Sequence, residues 1–147
     1  MPETPITVEA LTEPTAEDAA AVARLVPHLS AARPPDLAEL HHLVSSGAAT
    51  VFVARLGAEI VGMLALATFA IPTGRRAWIE DVVVDPAHRG KGIASQLVAA
   101  ALRLAAESGC RTVDLTSRPS RVDANRLYEQ LGFIRRETNV YRISLEA

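Results

Sequence analysis

The chain has 147 residues, 49% hydrophobic and 22% charged, with a formal net charge of −2. A domain of that length buries roughly 70% of the surface its unfolded chain exposes, so a full core forms without staples. Interspersed acids and bases build no field that would gather phosphate backbones, so no nucleic-acid partner is expected. Cys110 stands alone, which excludes an intrachain disulfide and a cysteine-rich zinc site and suits a reducing cytoplasm. The acidic start, MPETPITVEALTEPTAED, lacks the basic head and apolar core of a signal peptide, and no apolar run reaches ~18 residues, so no membrane partner is expected.

Residues 6–11 read as a first strand. Thr15 is a candidate helix N-cap with Asp18 three positions on, and Ala19, Val22, Ala23 and Val26 follow at helical spacing until Pro27. The tandem prolines 34 and 35 mark a loop before a second helix over about 36–46, closed by Gly47. Two apolar runs, 50–56 and 59–71, are joined by Gly57 and Ala58, a connector short enough for a hairpin. A fourth strand, RRAWIEDVVVD, ends at Pro86, whose missing N–H cannot serve a ladder. An amphipathic helix spans 91–108 with Ile93, Leu97, Ala100, Ala101 and Leu104 on one face, and Gly109 closes it. A fifth strand over 111–117, a helix over 121–131 stopped by Gly132, and a closing hairpin of FIRRE and VYRISL complete the order. The fold expected is α/β in the α+β sense, a single domain over 1–147. Its mixed, mostly antiparallel sheet has about seven strands flanked by helices, with one right-handed parallel crossover from the fourth strand through the third helix to the fifth.

Chemistry concentrates where the fourth strand becomes the third helix: Arg89, Gly90, Lys91, Gly92, Ile93 and Ala94. The first backbone N–H groups of a helix lack internal partners and carry the positive end of its dipole, so an anion fits there. Glycines let a bulky polyphosphate approach, and Arg89 and Lys91 add charge. A tight turn that merely caps a core helix is the alternative. The string fits neither GxGxxG after a first strand nor GxxxxGK[ST], so both nucleotide-loop readings fail.

The sequence resembles the GNAT superfamily of acetyl-CoA-dependent N-acetyltransferases. The family motif, a strand ending Val-x-Pro and then Arg/Gln-x-x-Gly-x-Gly/Ala, is met by Val84, Asp85, Pro86, Arg89, Gly92 and Ala94. A second signature, a helix Tyr followed by Gly-Phe, appears as Tyr128, Gly132 and Phe133. The resemblance implies acetyl transfer from acetyl-CoA to a primary amine by direct attack on the thioester, on a small molecule or a protein. The pyrophosphate of CoA is then expected on the N–H groups of Arg89, Gly90, Lys91, Gly92, Ile93 and Ala94. The pantetheine arm is expected between splayed fourth and fifth strands, paired with Val82, Val83 and Val84 like an added strand.

Tyr128 matches the family's general-acid position. Glu80 is the candidate base, on the face of Trp78 and Val82 by strand alternation. The alternative for Glu80 is a rim carboxylate paired with Arg75 or Arg76, and for Tyr128 an aromatic anchor. Many family members carry Asn where this chain has Arg121, which leaves Asn125 as a candidate cofactor contact and Arg121 as a phosphate or substrate contact. Residues 24–45 and 68–78 are expected around the acceptor. His41 and His42 point about 100° apart on a helix, so no metal site is expected. A non-catalytic acyl-CoA sensor or interaction module remains the alternative function, and the sequence leaves open a homodimer through the C-terminal strands.

Overall fold

In the computed structural model, which describes residues 4–146, five strands hydrogen-bond in chain order. They are β1 (Ile6–Ala10), β2 (Ala49–Leu56), β3 (Glu59–Ile71), β4 (Gly74–Val84) and β5 (Thr112–Asp114). The first three pairings are antiparallel and β4 pairs β5 in parallel, so the expected mixed sheet with one crossover is present. Among the described residues no helix is long and apolar enough to cross a membrane. The described residues fall into two units, one ending at Thr116 and one starting at Ser117.

The first unit is layered on the sheet. Helices α1 (Ala16–Leu25) and α2 (Leu37–Ser45) place Val22, Leu25 and Leu40 in a core with Val51, Val53, Ile60, Met63 and Val83. Helix α3 (Ile93–Glu107) covers the other face with buried Ile93, Leu97, Val98, Ala101 and Ala105. A Cβ on Gly62 would lie 3.2 Å from Ile93 Cγ2 and 3.3 Å from Leu97 Cδ1, and strand alternation separates Gly62 from Met63. Central strands covered on both sides read as continuous apolar runs, and each fully buried Val or Leu side chain contributes roughly 1.5–3 kcal/mol.

Local signals explain the helix starts. Thr15 and Asp18 form a capping box at α1, and Asp36 with Glu39 forms another at α2. Asp18 has a second task that its helix position does not reveal. Arg55 Nη1 donates to Asp18 Oδ1 at 2.9 Å while Arg55 Nε donates to Glu9 at 2.7 Å, tying α1 to β2 and β1. The α1–α2 connection is pinned by Arg33, whose two terminal nitrogens each donate to Glu39 at 2.9 Å. That guanidinium, with the Asp36 N–H, holds the Glu39 carboxyl down to about 2.

The sheet is smaller than the seven strands expected. Strand β5 spans only Thr112–Asp114, and residues 133–146 adopt neither helix nor strand. The second unit therefore contains α4 (Val122–Gln130), its terminator Gly132 at φ 99°, and an irregular tail with Ile134, Val140, Tyr141, Ile143 and Leu145 exposed. Thr138 and Asn139, the two residues between FIRRE and VYRISL, include no glycine for a tight primed turn, and a two-stranded hairpin without a packed face is marginal in water.

Candidate active site

The glycine loop is fastened to the sheet before it opens. Asp85 N–H donates to Val61 O at 2.8 Å, and Asp85 Oδ1 accepts from Ala87 N–H at 2.9 Å. Pro86 then opens a single 3-10 turn over Pro86–His88, closed by His88 N–H donating to Asp85 O at 2.8 Å. Beyond it Gly90 and Gly92 take φ of 79° and 75°, a left-handed conformation that side chains with a Cβ resist. Among the described residues, apart from each glycine and its two chain neighbours, no atom lies within 4 Å of where a Cβ would stand, so their front is open. Ile93 turns its side chain into the core, which leaves its main-chain N–H as its contribution to a ligand. The first bond into α3 runs from Gln96 N–H to Gly92 O at 3.2 Å, so the amides of Ile93, Ala94 and Ser95 precede the helical ladder. Arg89 and Lys91 are exposed beside them.

This surface offers what an extended, anionic ligand needs. It joins a helix N-terminus of 15 residues, two left-handed glycines with clear space in front and two cations to an open strand edge. That edge lies on β4. Its parallel pairing with β5 covers Arg76↔Thr112, Ala77↔Val113 and Trp78↔Asp114, and among the described residues goes no further. Main-chain groups of β4 from Ile79 to Val84 on that side are left for an extended partner.

On its other side β4 carries a bulge. Met63 faces Val83 and Ala65 faces Glu80, so Asp81 and Val82 together oppose Leu64. Asp81 adopts φ 54°, which Asp tolerates better than most residues. The extra residue resets the alternation: Glu80 shares a face with Trp78, as expected, but with Val83 rather than Val82. Partial removal from water, and then the Glu80 charge, raise the Asp81 carboxyl above its ordinary value.

Glu80 is exposed, and Trp78 Nε1–H donates to its Oε1 at 2.8 Å. Among the described residues Glu80 makes no ion pair with Arg75 or Arg76, and Arg75 donates instead to Thr68 Oγ1 at 3.1 Å. The bulge, the role of Asp85 in closing the 3-10 turn and the indole bond were all missed from sequence. Only the Asp-Pro pair carried a local signal for the second of them.

In the second unit Tyr128 is buried, with its ring edge-on to Phe133 at 5.8 Å between centroids. Burial raises its phenol above the ordinary value, against a smaller opposing effect of the Arg121 charge. Asn125 Nδ2 donates to Arg118 O and Arg121 O, both at 2.9 Å, so both amide hydrogens serve the turn into α4 and only its carbonyl oxygen is left to accept. Arg121 is exposed at the N-cap of α4. Among the described residues no group of three or more His, Cys, Asp or Glu side chains gathers to hold a metal.

Residues 17–133 match the family described as the Acetyltransferase (GNAT) family. Over 60 residues the chain is 47% identical to the N-alpha-acetyltransferase MAK3 of Arabidopsis thaliana, covering 41% of this chain and 32% of that protein. The chain thus spans about a third of that relative's length. A ribosomal-protein-alanine N-acetyltransferase from Brucella melitensis superposes with a TM-score of 0.76 at 27% identity, covering 97% of this chain and 100% of the other. A transcriptional regulator from Bacillus halodurans superposes with a TM-score of 0.74 at 32% identity, covering 95% and 99%.

Proposed function

Because the chain belongs to the acetyltransferase (GNAT) family, we propose that it moves an acetyl group from acetyl-CoA to a primary amine, which attacks the thioester directly. The observation that carries this reading is the unpaired β4 edge beyond Trp78, running straight into the left-handed glycine loop at the start of α3. Bound there, acetyl-CoA would supply the activated acyl carbon. The N–H groups from Arg89 to Ala94 hold the pyrophosphate, and Val82 to Val84 hold the pantetheine amides by main-chain bonds. A further β4 N–H aimed at the acyl oxygen favours the charge that develops on it.

A lysine-like amine has a pKa near ~10.4 and is almost wholly protonated at neutral pH, so a base must free it. Glu80 takes that proton. The amine nitrogen then bonds to the acyl carbon as the carbon–sulfur bond breaks; Tyr128 supplies the proton that the departing thiolate needs, and the second proton shed by the new amide nitrogen, passed through solvent, restores the phenol. A phenol whose pKa burial has raised stays protonated for this task.

Among acceptors we favour the α-amine of a protein N-terminus, on the names of the Arabidopsis and Brucella relatives. Thiol release from acetyl-CoA is measured against an alanine-terminated peptide, spermidine, glucosamine 6-phosphate and kanamycin. Release above background with the peptide is expected. The resemblance to a transcriptional regulator supports the second reading, a non-catalytic acyl-CoA sensor. Acetyl-CoA binding without turnover of any amine would select that reading and overturn the first.

A further inference from the structure

Trp78 occupies a singular place on β4. It is the last residue paired with β5, opposite Asp114, and on its other side it faces Ala67 of β3. Two positions on, Glu80 faces Ala65, and the bulge follows immediately. Alanines at both β3 positions leave the indole lateral room, because side chains directly opposite in a sheet lie only about 4.5–5.5 Å apart at Cβ. The indole uses that room to reach along the strand, and its single N–H meets Glu80 Oε1 at 2.8 Å. Tryptophan has one donor and no acceptor, so the indole donates, one carboxylate oxygen accepts, and the other stays outside this bond.

From this geometry we infer that Trp78 is a positioning residue: its indole N–H clamps one oxygen of Glu80 and leaves the other to take the amine proton. The inference rests on the assignment of Glu80 as base. An exposed glutamate has three side-chain torsions, and holding it costs conformational entropy that must be met by something rigid. The half-buried indole, carried on a residue paired to Ala67 on one side and Asp114 on the other, is that rigid element. Glu80 is thereby tethered at the position where regular β4 pairing gives way to the bulge.

Trp78 is the chain's only tryptophan, so the clamp has its own optical signal. In the full chain, Glu80→Ala is expected to change the intensity or wavelength of tryptophan emission without ligand, and unchanged emission would show that the bond does not form in solution. In the thiol-release assay, with the fastest amine of the panel above, Trp78→Phe is expected to lower kcat about 10-fold with the KM for acetyl-CoA within twofold of wild type. The decisive comparison is Trp78→Phe with Glu80→Gln: the double variant should be no slower than Glu80→Gln alone, because an unclamped residue that is no longer a base has nothing further to lose. A purely structural role for the indole would instead multiply the two losses and overturn the inference. Wild-type kcat in Trp78→Phe overturns it as well. If Glu80→Gln itself keeps wild-type kcat, the assignment of the base fails, a result distinct from an impaired Glu80→Gln with an unimpaired Trp78→Phe. Should Trp78→Phe fail to fold, the emission comparison on Glu80→Ala decides the clamp.

Discussion

Gly92 has clear space in front of it and a φ of 75°, so a side chain placed there acts through the backbone and through whatever occupies that space. Gly92→Val should lose about 1–2 kcal/mol of stability from left-handed strain alone. It should also weaken acetyl-CoA binding at least 10-fold by calorimetry, since the methyls and the shifted amides fall where the phosphates are assigned. An unchanged affinity would place the phosphates elsewhere. At Tyr128 the expected effect is on rate. Tyr128→Phe keeps the edge-on contact with Phe133 and should lower kcat ~10²-fold with acetyl-CoA affinity retained. Because burial raises the phenol above its ordinary value of 10.0, the wild-type donor form should persist past that pH, so any alkaline fall in kcat that depends on Tyr128 begins above about 10.

The bulge in β4 makes a prediction at the scale of the strand. The Asp81 carboxyl is raised, so the folded state holds its proton more tightly than the unfolded chain does; its favourable contribution is present below the ordinary value of 3.8 and is lost as pH rises through the raised one. Asp81→Asn keeps a side chain that accepts a positive φ and removes the charge beside Glu80. It should stabilise the fold at pH 7 by less than about 1 kcal/mol given its exposure, read as a small rise in melting temperature, and the gain should vanish near pH 3. A bulge of this kind was not legible in EDVVVD, because every residue there suits a regular strand and the extra one is defined only by what β3 sets opposite. The capping boxes at α1 and α2 were legible for the opposite reason: donor and acceptor lie three residues apart, and the helix itself brings them together.

Between elements, the clasp of Asp18 and Arg55 contributes to stability in a way that acid removes. Arg55 first, and the Thr15 N–H in addition, hold the Asp18 carboxyl below its ordinary value although burial opposes them. The stability it contributes is therefore present above about pH 4 and is lost as pH falls through the depressed value. Asp18→Ala removes one half of the α1 capping box and leaves a largely buried guanidinium with Glu9 and the Ala58 carbonyl, and should cost about 3 kcal/mol in chemical denaturation at pH 7. That cost should shrink in acid, where wild type loses the same bond. The pairing of residues 37 positions apart could not be read from sequence. The strand-helix-strand crossover and its glycine loop could, since hydrophobic period and glycine placement are local. The C-terminal hairpin was overread for a related reason: alternation in VYRISL states what a strand would look like and does not provide a neighbour to bond with. The early parting of β4 from β5 bears on how such a scaffold diversifies. An edge that meets its partner through peptide groups carries no alphabet, so that contact alone does not dictate the side chains of β4, which answer instead to the core at Ile79 and Val83 and to the indole bond at Glu80. Substitutions can then recolour the acceptor's surroundings one at a time without touching the main-chain contacts proposed for the acyl carrier.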